Sequence, residues 1–141
     1  MTQGPDTLDR FLDAQEGIYD VALSELVRGR KQSHWMWFIF PQLRGLGRSA
    51  MSHHYGIADP DEARRYLAHP VLGPRLIRCA QAVLDHQGVS AEAIFGPVDA
   101  GKLRSSATLF AAVAGATDVF DRILRAFFEG RPCRVTAGRT G

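Results

Sequence analysis

The sequence predicts a single all-α domain, compact and built from several helices. Three observations carry that expectation. Apolar residues recur at i, i+3, i+4 spacing along most of the chain, helix start and stop signals bracket those runs, and alternating strand patterns are nearly absent. The chain has 141 residues, of which 45% are hydrophobic and 23% charged. That composition belongs to a folded globular domain and is large enough for one core without disulfides or metals.

In chain order, Leu8, Phe11 and Leu12 begin a helical stripe, and Tyr19, Ala22, Leu23 and Leu26 repeat it. Gly17 separates the two pieces and Gly29 is placed as a stop. The stretch "DPDEARRYLAHP" carries a start signal: Asp59 as cap, Pro60 at the first helical position and Glu62 completing a capping box. Pro70 ends that helix. "GPRLIRCAQAVLDHQG" restarts at Pro74, lines up Leu76, Ile77, Ala80, Val83 and Leu84, and stops near Gly88. Ser90 opens a short helix through Phe95. Asp99 is read as the cap of a helix carrying Leu103, Ala107, Phe110, Ala111 and Ala114. Thr117 is read as the cap of another, with Val119, Phe120, Ile123, Leu124 and Phe127 facing the core. The organisation expected is a core over residues 7–130 with a basic tail over 131–141.

The segment "KQSHWMWFIFPQ", residues 31–42, is apolar over a short run and its period alone does not choose helix from strand. It is assigned to a helix, since no partner strand exists for it and an unpaired buried strand would leave its backbone unsatisfied. A helix over 31–40 would place Lys31, His34, Trp35 and Phe38 on one face, at i, i+3, i+4 and i+7.

Charge is unevenly spread behind a net +2. Asp6, Asp9, Asp13, Glu16, Asp20 and Glu25 crowd the start, whereas residues 28–58 hold no acid but carry Arg28, Arg30, Lys31, Arg44 and Arg48. This acid-free window overlaps the aromatic one. A cation, an imidazole and an indole in one row suit a phosphate joined to an aromatic ring: charge-assisted hydrogen bonds for the first, stacking for the second. The competing reading is that His34 and Trp35 are core residues with satisfied N–H groups.

Two further clusters point the same way. "PQLRGLGRSAMSHHYGI" sets Gly45 and Gly47 beside Arg44, Arg48, Ser49 and Ser52, a weak anion-cradling pattern, and puts Gln42 where it could orient a ligand. "DAGKLRSSATLF" places Lys102, Ser105 and Ser106 on one helical face. The working assignment is therefore Lys31, Lys102, Ser49, Ser105 and Ser106 on phosphate, Trp35 stacked on the ring, Gln42 hydrogen-bonded to it and His34 as acid/base. The segments around Lys31 and Lys102 are expected to meet. A carboxylate partner for His34 is missing, with Glu16 and Asp20 the nearest in sequence.

Other classes recede. No HxxxH or HxH pattern exists and Cys79 and Cys133 are far apart, so no metal site, cofactor or disulfide framework is expected. The start "MTQGPDTLDRF" does not read as an export signal and the apolar run is too short to span a bilayer, which points to the cytoplasm. The expected ligand is a small anionic metabolite. A membrane partner is not expected, and the modest charge argues against nucleic acid. The alternative is a non-catalytic module for a protein or nucleic-acid partner, using Arg28, Arg30, Arg44 and Arg48.

The stretches "DRFLDAQ", "YDVALSELVRGRKQSHWMWFIFPQLRGLGRS", "YGIADPDEARRYLAHPVLGPRL", "IFGPVDAGKLRSSATLF" and "FFEG" together resemble the bacterial family catalogued as domain of unknown function 1810, sometimes labelled calpastatin-like. The resemblance implies a small cytosolic, mainly helical domain with no established activity. A calpastatin-type inhibitor would be disordered, whereas this composition folds. The family's motif positions fall here on Gln15, Lys31, His34, Trp35, Trp37, Pro41, Gln42, Ser49, Tyr55, Lys102, Ser105 and Ser106. Ala107 stands where the family more often has Met, and "SHHYGI" is richer in His than usual. The second departure argues against a shared catalytic role for His53 or His54.

Overall fold

The computed structural model describes residues 7–140, and the N-terminal residues read above for an export signal lie outside this range up to position 6. Among the described residues ten helices follow in order: α1 (Asp9–Gln15), α2 (Tyr19–Arg28), α3 (Met36–Ile39), α4 (Ala50–His54), α5 (Pro60–Ala68), α6 (Leu72–Leu84), α7 (Ala91–Phe95), α8 (Pro97–Val113), α9 (Val119–Phe128) and α10 (Arg134–Thr140). Among the described residues the only β-type pairing is a bridge between Leu43 and Ile57. The domain is all-α.

Local chemistry sets most boundaries. Asp59 accepts from Glu62 N at 2.8 Å and Ser90 from Ala93 N at 3.1 Å, capping α5 and α7. Gly29 ends α2 with φ +81°, a left-handed conformation that a side chain resists. Gly73 serves a different need. A Cβ there would lie 2.1 Å from Leu67 O, so only glycine lets α6 start this close to the end of α5.

The longest helix, α8, is the hub, packing against α5, α7, α9 and α10, while α6 packs on α2, α5 and α9. Leu103, Leu109 and Phe110 of α8 are fully buried, as are Phe11, Leu26, Trp35, Ile57, Tyr66 and Ile123. Aromatic rings run through the core from Phe11 to Tyr66 at 5.1 Å, Tyr66 to Phe110 at 5.5 Å and Phe110 to Phe120 at 5.6 Å. Contacts of this kind add to area burial, which supplies most of the driving force.

Four expectations are corrected. The first concerns 31–40, where only Met36–Ile39 is helical. The Glu25 carboxylate takes the N–H groups of Gln32 and Ser33, at 2.7 and 2.9 Å, and Lys31 N donates to Ile94 O at 2.8 Å. Those bonds fix residues 31–33 from outside the segment, and Trp35, at φ −137° and ψ 5°, leaves helical geometry just before α3, so Lys31, His34, Trp35 and Phe38 do not form a helical face. Second, α8 begins at Pro97 after Gly96, so Asp99 lies inside the first turn and makes no cap. Third, α9 is preceded by Asp118; Thr117 contributes only a long contact, Oγ1 accepting from Val119 N at 3.4 Å. Fourth, buried packing continues past residue 130 into the segment expected as a basic tail. Over 134–140 that segment forms α10, with Thr136 fully buried and Cys133 N donating to Thr108 Oγ1 of α8 at 2.9 Å.

Candidate functional site

The loop between α2 and α3 is organised by one buried carboxylate. Glu25 accepts from Gln32 N, Ser33 N, Ser33 Oγ (2.6 Å) and Trp35 Nε1 (3.0 Å). Burial alone would raise its pKa, but these four donors outweigh it and bring the carboxyl down to about 2. Glu25 therefore stays charged and holds the loop in one shape. Behind the loop, Gln15 Nε2 donates to Phe38 O at 2.8 Å and to Tyr66 Oη at 3.0 Å, tying α3 to α1 and α5.

This shape aims Lys31 at the first turn of α8. Lys31 Nζ lies 2.8 Å from Asp99 Oδ2, and Lys102 Nζ lies 3.2 Å from Asp99 Oδ1. The segments around positions 31 and 102 thus meet, joined through a carboxylate between two ammonium groups. Lys31 also donates to Ser33 O at 2.7 Å. Lys102 Nζ sits 3.7 Å from the centroid of the Trp37 ring, and Lys31 Nζ 5.0 Å from that of Trp35. Both are cation–π contacts. Burial disfavours the Asp99 charge, but the two lysines more than compensate and hold its pKa below the ordinary carboxylate value.

A cleft of about 60 Å³ opens here, lined by Lys31, His34, Trp35, Met36, Trp37, Asp99 and Lys102. The Lys31 side chain is 7% exposed, against 19% and 20% for Asp99 and Lys102. His34 stands exposed at the mouth and Trp37 is half-buried. Cation, carboxylate, imidazole and indole therefore share one small space. It is able to seat a compact anion and to exchange a proton with it.

The remaining candidates lie elsewhere or are already engaged. Trp35 belongs to the deep wall but is fully enclosed, its indole N–H held by Glu25, so its expected role as a stacking face is corrected. Trp37 is the indole with surface at the cleft. Gln42 does not line it; its carbonyl accepts from Ile57 N at 2.9 Å beside the Leu43 bridge. Ser49 caps α4, accepting from Ser52 N at 3.1 Å, while Arg44 donates to His53 O and Gly56 O. Arg44 thus spends these donors on carbonyls of the following segment. Ser105 Oγ donates back to Gly101 O at 3.2 Å and lies beside the Cys133 thiol. Ser106 is buried under the helix, and its hydroxyl has no hydrogen-bond partner among the described residues. No group of three or more His, Cys, Asp or Glu placed to hold a metal occurs among the described residues.

Sequence reasoning missed Asp99, Glu25 and Trp37 as parts of this site. Two of them had a visible signal. Asp99 and Lys102 are three apart on one helix, a pairing distance. Glu25 interrupts the buried stripe of α2, three residues after Ala22, where a charge needs partners.

Fold and cleft together define a class: a small all-α domain in which Asp99 and Lys102 of the central helix meet Lys31 of the α2–α3 loop beside an indole. The chain belongs to a family described as protein of unknown function (DUF1810), whose profile matches residues 5–139. It is similar to a solved structure, the conserved hypothetical protein Rv1873 from Mycobacterium tuberculosis. The two share 47% identity over 96% of each chain, with a TM-score of 0.92. Among curated proteins, none matches. No helix among the described residues is long and apolar enough to cross a membrane.

Proposed function

We propose that this domain binds a phosphorylated, ring-bearing metabolite of nucleotide or ADP-ribose type at the Lys31–Asp99–Lys102 cleft. The observation that carries the reading is the convergence of two ammonium groups, from positions far apart in the chain, on a small opening walled by an indole. A cleft of about 60 Å³ takes the anionic group alone. The ring then lies outside the mouth, against the open part of Trp37. His34, exposed at that mouth, is the group for proton transfer, and Asp99 supplies the carboxylate that the basic window lacks. Hydrolysis or transfer at a glycosidic or phosphoester bond is the matching reaction class. Cys79 and Cys133 are both free thiols, which supports a reducing compartment such as the bacterial cytoplasm.

The test is thermal unfolding with ADP-ribose and with nucleotides, in the wild type and in Lys31→Ala and Lys102→Ala. Ligand in roughly hundredfold excess over its Kd stabilises the native state by about 2.7 kcal/mol, a shift easily read in Tm. The expected result is a rise in wild type that both variants lose. Unchanged Tm in wild type with every ligand retires the reading.

A further inference from the structure

We propose that Asp99 restricts the cleft to a singly charged phosphoryl group with two free oxygens, as in a phosphodiester or an internal diphosphate linkage, and disfavours the dianionic end of a phosphomonoester. The inference rests on the phosphoryl-binding reading above and narrows it to one class of ligand.

The argument is a count of donors and charges. Each lysine ammonium has three N–H groups and no acceptor. Lys31 directs one to Ser33 O at 2.7 Å and one to Asp99 Oδ2 at 2.8 Å, which leaves one. Lys102 directs one to Asp99 Oδ1 at 3.2 Å and sets another against the Trp37 ring, whose centroid is 3.7 Å from Nζ, a closer approach than the 5.0 Å between Lys31 Nζ and the Trp35 ring; that leaves one more. The cleft therefore offers a ligand two lysine N–H groups, one from each side of Asp99. The fixed charge of this group is two cations less one carboxylate. The balance holds because the two ammonium groups favour the ionised form of Asp99.

A phosphodiester matches on both counts, presenting two unesterified oxygens and one negative charge. A monoester above its second pKa, about 6, presents three oxygens and close to two charges. Its third oxygen finds no lysine donor and approaches the Asp99 carboxylate. Desolvation rises with the square of the charge in a continuum picture, whereas attraction to a fixed site only doubles. A carboxylate shares the two-oxygen, single-charge pattern, so the test includes one.

Calorimetric titration at pH 8 compares adenosine 5′-monophosphate, its 5′-methyl ester and adenosine 5′-carboxylate. The methyl ester is expected to bind about tenfold more tightly than the monophosphate, the effect of one poorly compensated charge near the surface. In Asp99→Asn the site gains a unit of positive charge and the order is expected to reverse. Repeating the comparison in His34→Gln removes the imidazole, and the preference must persist. A monophosphate that binds the wild type more tightly, or a preference unchanged in Asp99→Asn, overturns the inference while leaving the phosphoryl reading intact. Tighter binding of the carboxylate overturns the phosphoryl class. Silence from all three compounds and from ADP-ribose ends both proposals.

Discussion

Two ion pairs among the described residues join distant parts of this chain, and they differ in what they leave over. Arg10 of α1 meets Glu62 of α5 at 3.0 Å, with side chains 4% and 0% exposed. The Arg10 guanidinium also donates to Thr7 O, His54 O and Gly56 O, and to both Glu62 oxygens, so all five of its N–H groups are engaged. Glu62 completes the closure by accepting from Ala58 N. No guanidinium donor remains for a ligand. The Lys31–Asp99–Lys102 group uses the same chemistry but keeps two donors and part of its surface open. Lysine, with a compact charge and rotatable donors, suits that second role, as the rigid fork of arginine suits the first. A cation–carboxylate pair is thus a clasp or a receptor according to its unused valence.

The contrast predicts an order of effects. The largest belongs to the sealed pair. Arg10→Met leaves a buried Glu62 charge without its cation and removes the guanidinium donors to the Thr7, His54 and Gly56 carbonyls, at an expected loss of about 3–5 kcal/mol, read as a lower denaturant midpoint. A loss below about 1 kcal/mol would mean that Arg10 is not the clasp described. The middle effect belongs to Glu25. Its folded pKa lies below its unfolded value, so its contribution is present above the unfolded pKa and is lost as pH falls through about 2. Glu25→Gln is expected to lower stability by about 2–3 kcal/mol at pH 7. The gap between variant and wild type should narrow steadily from about pH 5 downward, measured by denaturation across a pH series. A gap that is flat with pH would remove the carboxylate from the account. The smallest effect belongs to the open cleft. Asp99→Asn, at a partly solvated site, should shift stability by no more than about 1 kcal/mol. A cost equal to that of Arg10→Met would make both pairs structural and erase the distinction.

Helix existence was largely legible because its determinants are local. Asp59, Ser90 and Gly29 act on atoms two to four residues away, and each stands where its type and neighbours indicate. The shape of residues 30–35 was not, because it answers to Glu25 at a range of several residues and to Ile94 far along the chain. The same limit hid half of the cleft. Lys31, His34 and Lys102 could be named from residue type, but Asp99 read as a cap, since Pro97 as the true helix start was passed over. The choice between Trp35 and Trp37 depended on which indole the loop turns inward, whereas the sequence placed both on a helix over 31–40 of which only Met36–Ile39 forms. Ser49 and Gln42 were plausible by type and are excluded by position alone.

The chain has only two tryptophans, and the fold gives them opposite surroundings. Trp35 is sealed and clamped through its ring nitrogen, whereas Trp37 lies under the Lys102 ammonium at the opening. Displacing or neutralising that ammonium would change the surroundings of Trp37 and leave those of Trp35 as they are. Intrinsic emission would then gauge occupancy by the proposed ligand without a dye or tag.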